Sequence, residues 1–364
     1  MGKNGNGRLA WADLLRCAAL FAVVLLHVSG ARLADVPVDS GAFQVLNVYD
    51  GLTHWCVPVF VMLSGAFLLD PKHSLPLPKL LFRHILRIFT ALAVWGAVYA
   101  VANHLEQGGA WTWPGVREAL WQALRGHTHY HLWFLYMILG LYLVTPVLRA
   151  FVRGAGRGDF HWFFLLVFVF TFLLPTLLRL RPSQTASLWI GNLNLHLVLG
   201  YVGYYVLGYY LKQNTLSRAA EFALYLLGAL GAAVTVGGTA LLSRQRGELV
   251  QVFYNYDSPN VALMSVAVFV LFRYVLGVSE ERSRRERLSK AAQVSFGIYL
   301  VHDLFLMLLR RVGIDALSFA PALAVPVLAA GIFLCSFAVA WVLSKIPLVG
   351  RYLSLIHISE PTRH

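Results

Sequence analysis

The stretch Leu9 to His27, LAWADLLRCAALFAVVLLH, reads as a membrane helix that carries an aspartate, an arginine and a histidine inside an apolar run. A helix advances about 1.5 Å and about 100° per residue, so the step from Arg16 to His27 is about 16 Å of rise and about three turns. Both side chains therefore point the same way. Asp13, one turn before Arg16, shares that face and is placed to neutralise the guanidinium. A charged group in mid-bilayer costs about 2.5–3.5 kcal/mol even on the lenient insertion scale, so such residues face a protein interior or a wet cavity. The run predicts a polar track along one helix, leading to a histidine.

Composition sets the class around this helix. Of 364 residues, 58% are hydrophobic and 13% charged. The mean hydropathy is +0.65. A soluble domain is excluded, and an all-α, polytopic membrane helix bundle is expected. Ten apolar runs are long enough to span: 9–29, 55–69, 85–103, 132–151, 160–178, 195–211, 219–242, 259–276, 294–309 and 322–343. The second and ninth are short. No internal repeat is visible, which weighs against an inverted-repeat transporter.

The net charge of +13 reads as topology rather than as nucleic-acid binding. With the N-terminus inside, basic residues favour the inner segments about two to one, the sense of the positive-inside rule. Both termini are then expected in the cytoplasm. No small-residue cleavage site closes the first run, so it reads as a retained signal anchor. Cys17, Cys56 and Cys335 form no CxxC pair, and neither a disulfide framework nor a zinc site is signalled. His54, His104, His127, His129, Trp111 and Trp113 fall in outer loops as candidate interfacial anchors. The expected domain is a single one over residues 1–352. The last residues, 353–364, LSLIHISEPTRH, resemble the translation of a transposon-type library adapter and are set apart as a non-native tail.

Several further segments have the residue types of a site. His27 can take a proton from a hydroxyl, which acyl transfer to an alcohol needs. Ser64-Gly65, in VPVFVMLSGAFLL, permits close backbone approach. Arg83 and Arg87 lie one helical turn apart and could clamp one anion, although a positive-inside anchor has the same appearance. In Tyr130-His131-Leu132-Trp133, an aromatic belt explains the rings, while His131 beside Trp133 also suits a sugar or a thioester. Ser295, Tyr299 and His302 share one face of an apolar helix, and Asp303 lies off it. Asn192, Asn194 and His196 read as a cap, and Tyr201, Tyr204, Tyr205, Tyr209 and Tyr210 as packing or a sugar platform. Residues 254–260 form a polar cluster that fits a turn as well as a surface. The run Glu280 to Lys290 reads as a solvated loop.

Taken together, Asp13-Leu14-Leu15-Arg16 with His27, VPVFVMLSGAFLL, RHILRIF, YHLWFLYMILGLYLVTPVL and SFGIYLVHDLF resemble the integral-membrane acyltransferases of acyltransferase family 3. The pattern is similar to the branch that O-acetylates enterobacterial common antigen. The resemblance implies transfer of an acyl group, most simply acetyl, from acyl-coenzyme A to a hydroxyl of a cell-surface polysaccharide or its lipid-linked precursor, in a bacterial inner membrane. It implies acetyl-CoA as donor substrate, with no permanently bound cofactor and no metal. Arg16 and His27 match the family's first-helix arginine and histidine, and Arg83 and Arg87 its cytoplasmic arginine pair. On this reading Asp13 orients Arg16, Arg16 polarises the thioester, and His27 is the base or a transient acyl carrier. Ser64, Arg83 and Arg87 serve the donor; His131, Trp133, Ser295, Tyr299 and His302 serve the substrate. A transporter or flippase, with the same buried groups as a proton relay, is the competing class, and an inert glycan-binding partner is a third.

Overall fold

The computed structural model describes residues 9–193, 200–276 and 286–346. Residues 1–8, Asn194, His196, Arg282, Arg284 and Arg285, and the 353–364 tail lie outside the described residues.

The described chain is helical, without a strand. In order, the helices are α1 (Ala10–Leu33), α2 (Gly41–Thr53), α3 (Cys56–Leu68), α4 (Leu77–Glu106), α5 (Trp113–Leu124), α6 (Tyr130–Gly154) and α7 (Arg157–Leu180). There follow α8 (Gln184–Asn192), α9 (Tyr201–Gln213), α10 (Arg218–Arg246), α11 (Pro259–Leu271), α12 (Glu286–Gln293), α13 (Ser295–Arg311) and α14 (Pro321–Lys345). Eight helical segments among the described residues are long and apolar enough to cross a membrane, rather than ten, and the protein is a multi-pass membrane protein.

The difference has a physical reason. The helices α9 and α13 have 13 and 17 residues, short of the roughly 20 that a span needs. They lie inside the bundle, where neighbouring helices cover their polar groups. From Ser295 to Asp303 every residue of α13 is buried. The run at 55–69 is the second half of a longer path. Its partner α2 starts at Gly41, where Ser40 Oγ accepts from the Phe43 N–H at 3.1 Å, and the expected outer loop is largely helix. Part of the expected 280–290 loop is also helix, since α12 begins at Glu286 and packs on α1.

The crossing of α3 and α9 needs glycine. A Cβ at Gly65 would sit 1.8 Å from the Tyr205 carbonyl oxygen, and one at Gly208 1.9 Å from that of Met62. The Ser64-Gly65 pair therefore brings two backbones into contact. Arg149, near the end of α6, is buried. Its Nη1 donates to the carbonyls of Leu68 (2.5 Å) and Asp70 (3.0 Å), and its Nη2 to that of His73 (2.5 Å). Beside it, Asp70 accepts from Lys212 Nζ at 3.2 Å and from Gln213 Nε2 at 3.0 Å. Burial pushes the Asp70 carboxyl up, but the Lys72 N–H and the Lys212 ammonium outweigh it and hold it below the usual range. This knot ties the 69–76 turn to α6 and α9.

Candidate functional site

The polar groups of α1 open onto two cavities. At the N-terminal end, Asp13 Oδ1 lies 3.0 Å from Arg16 Nη1, and both residues are largely buried. Arg16 lines a narrow cavity of about 70 Å³ with His27, Ser64, His131, Trp133 and Tyr299, and Ser295 also borders it. Ser64 is in hydrogen-bond contact with Tyr142 there. At the other end of the bundle lies a cavity of about 820 Å³, lined by His27, Asp50, His54, Tyr130, Tyr256 and Arg179 among others. His27 lines both, so it sits where they meet.

Helix α13 reaches this junction with two adjacent side chains, His302 and Asp303, which point about 100° apart. The His302 Nδ1 lies 2.6 Å from the Tyr299 carbonyl, an acceptor only, so Nδ1 carries the proton. Neutral His302 then has its lone pair on Nε2, which is 2.7 Å from His27 Nδ1. His27 must donate from Nδ1, and its own Nε2 is left with the lone pair. The tautomers are thus assigned by the hydrogen-bond network. The two rings stack with centroids 4.9 Å apart.

Asp303 feeds a second chain. Its Oδ1 accepts from the Tyr130 hydroxyl at 2.6 Å. Its Oδ2 lies 3.1 Å from His129 Nε2, an ion-pair contact rather than an aligned hydrogen bond, and has no hydrogen-bond partner among the described residues. With the proton of this contact on His129 Nε2, Nδ1 is the acceptor. That Nδ1 lies 3.1 Å from His131 Nδ1, which is therefore the donor. The lone pair of the second chain ends on His131 Nε2, a buried atom with no hydrogen-bond partner among the described residues. The Tyr299 hydroxyl donates to the His131 carbonyl and the Tyr99 hydroxyl to that of Leu300, 2.8 Å away, which fix the loop and the helix against each other.

Four predicted site residues from three separate segments, His27, His131, Tyr299 and His302, thus meet at one junction. Trp133 stacks on Tyr256, with centroids 5.7 Å apart, and joins the aromatic wall between the cavities. The arginine pair is divided. Arg83 is exposed on the π-turn Leu80–Ile85, whereas Arg87, in the α-helical turn that follows, is 8% exposed. The Arg87 Nε and Nη2 have no hydrogen-bond partner among the described residues, which suits a buried anionic group.

Sequence reasoning missed His129, Asp303, Asp50 and His54. His129 and His54 are not interfacial anchors: both are buried, and His54 stacks on Tyr254 with centroids 4.4 Å apart. The H-x-H spacing of His129 and His131 was the available signal, since an extended His129 followed by the 3-10 turn Tyr130–Leu132 brings the two rings together. Asp303 lies off the Ser295 face because it serves a different partner. The 254–260 cluster forms part of the larger cavity's wall, where Asp257 takes both Arg179 Nη atoms at 2.9 and 2.5 Å. Tyr204 and Tyr205 are packing residues, fully buried. By contrast, Trp111 and Trp113 are each 73% exposed.

Two trios, His27 with His302 and Asp303, and His129 with His131 and Asp303, bring ligating atoms within 4.8 Å of one another, close enough for a cation. The hydrogen bonds above already engage most of those atoms.

Residues 9–345 match a family described as an acyltransferase domain. No curated protein and no solved structure matches the chain, so the likeness to the common-antigen branch has no relative behind it.

Proposed function

The chain belongs to this acyltransferase family, and from that premise we propose that it is a membrane O-acyltransferase that moves an acyl group from acyl-coenzyme A to a hydroxyl of a cell-surface glycan or its lipid-linked precursor. The observation that carries the reading is His27 at the meeting point of a narrow and a wide cavity, with its Nδ1 proton committed to His302. Its Nε2 is a base aimed at a shared space.

The narrow cavity takes the donor. Arg16 lines it, and Arg87 lies buried on the neighbouring α4 with Nε and Nη2 lacking a hydrogen-bond partner among the described residues, a setting that fits the phosphates or thioester oxygen of acyl-coenzyme A. Asp13 keeps Arg16 in place. Exposed Arg83 extends this basic character to the surface. The wide cavity takes the acceptor. Its carboxylate, imidazole and tyrosine groups suit the hydroxyls of a sugar, and Tyr256, backed by Trp133, offers it an apolar ring. In the reaction His27 Nε2 takes the hydroxyl proton as the oxygen attacks the acyl carbon, and the thiol leaves. The N-terminal end then faces the cytoplasm of a bacterial inner membrane, where coenzyme A is found.

Purified protein given acetyl-coenzyme A and a glycan acceptor is expected to release coenzyme A, and His27→Ala to lose that release at equal protein level. Acceptor uptake into vesicles without coenzyme A release overturns the reading in favour of a transporter.

A further inference from the structure

The base chemistry above uses the His302–His27 pair and leaves the second histidine chain without a task. His131 is 2% exposed and Asp303 is fully buried, and burying a carboxylate and two imidazoles among apolar helices is costly unless they are arranged for use. The chain has a direction. Asp303 Oδ2 lies 3.1 Å from His129 Nε2, His129 Nδ1 draws the His131 Nδ1 proton, and His131 Nε2 keeps its lone pair with no hydrogen-bond partner among the described residues. That atom's residue lines the narrow cavity but not the wide one. Its ring centroid is 6.4 Å from that of His27.

We propose that His131 is a nucleophile that carries the acyl group between donor and acceptor, so that transfer proceeds through an acyl-histidine formed in the narrow cavity. The inference rests on the acyltransferase reading above. In the first half, the Nε2 lone pair bonds to the thioester carbonyl carbon and the carbon–sulfur bond breaks, its electron pair leaving on the thiolate. The His131 Nδ1 proton passes to His129 Nδ1, and the resulting imidazolium is held against the Asp303 carboxylate. In the second half, His27 Nε2 takes the acceptor hydroxyl proton and the oxygen bonds to the acyl carbon. The carbon–Nε2 bond breaks, its electron pair returns to His131, and His129 returns the Nδ1 proton. The proton on His27 is then lost to the departed thiolate, and the products are ester and thiol. His129 and Asp303 are positioning residues. The two chains divide the labour: one makes a nucleophile on the donor side, the other a base that also faces the acceptor.

The first half runs backwards, which allows a test without any acceptor. Intact purified protein is incubated with acetyl-coenzyme A and isotopically labelled coenzyme A, and label entering acetyl-coenzyme A is measured; coenzyme A binding is followed separately by calorimetry. The expected result is exchange by the native protein and its loss by about 100-fold or more in His131→Ala and His131→Gln with coenzyme A still bound. Asp303→Asn and His129→Ala are expected to lower the exchange kcat by about 10- to 100-fold with the KM for acetyl-coenzyme A unchanged. Binding without exchange in a protein that transfers acetyl to a glycan overturns the inference but not the acyltransferase reading. So does exchange that survives in both His131 variants, or exchange that a chelator abolishes and zinc restores. Absence of coenzyme A binding overturns the acyltransferase reading itself.

Discussion

His27 Nδ1 and His302 Nε2 face each other at 2.7 Å although 275 residues separate them in the chain. The contact leaves the lone pair of His27 on Nε2, the atom proposed as the base. A single hydrogen-bonded neighbour therefore sets the tautomer of the histidine on α1.

Replacing that neighbour is expected to disable the base without closing the site. His302→Leu should lower kcat for acyl transfer by on the order of 10², with the KM for acyl-coenzyme A unchanged. His302→Gln, which offers an amide oxygen to His27, should recover part of the loss. Steady-state kinetics on the two variants distinguish positioning from packing, because a packing role predicts equal losses.

The close crossing of α3 and α9 leaves no room at Gly65. Gly65→Ala is expected to destabilise the protein by about 1–3 kcal/mol or more, because the added methyl meets backbone rather than a movable side chain. Unfolding of the detergent-solubilised protein reads this directly. Gly140, which has open space around its Cβ position, serves as the tolerant control in Gly140→Ala.

Arg149 satisfies three carbonyls at the end of α3 and in the turn after it. Arg149→Met should cost roughly 3 kcal/mol, since it strands two buried carbonyl acceptors and one part-buried one. Arg149→Lys should recover only part, because an ammonium lacks the planar fork that reaches all three. Thermal unfolding of both variants checks the ranking.

Asp70 gives the structure a dependence on acid. Its carboxyl is held below the ordinary carboxylate value in the folded state by the Lys72 N–H and by Lys212. The unfolded chain therefore binds this proton more readily than the folded one. The resulting stability is fully present above the unfolded value, about 3.9, and is lost as pH falls through the lower folded value. Asp70→Asn is expected to flatten that part of the acid unfolding curve. Melting temperatures between pH 6 and pH 2 test it, and an unchanged slope in the variant rejects the assignment.

The Arg179–Asp257 pair joins α7 to the turn before α11 at the wall of the wide cavity. Arg179→Ala and Asp257→Ala should each raise the KM for the acceptor several-fold while leaving that for acyl-coenzyme A unchanged. The swapped double variant, Arg179→Asp with Asp257→Arg, should restore part of the acceptor affinity. Equal effects on both substrates would mean that the pair supports the whole bundle instead.

The sequence by itself determined the class of fold, because apolar length is a property of consecutive residues and a bilayer sets one thickness for all of them. It also determined the face shared by Asp13, Arg16 and His27, since those residues lie on one helix whose pitch is known. The same holds for Ser295, Tyr299 and His302. What only the tertiary structure decided is which faces meet. The pairing of His27 with His302, the Asp303–His129–His131 chain and the division of one interior into two cavities join residues far apart in the chain, through helix crossings that no local spacing encodes. Two short helices, α9 and α13, were legible as apolar but not as interior, because burial by protein and burial by lipid select the same side chains. The polar path first visible on α1 is therefore half of a site. The other half is supplied by the loop before α6 and by α13, where packing brings the remaining histidines and the aspartate to it.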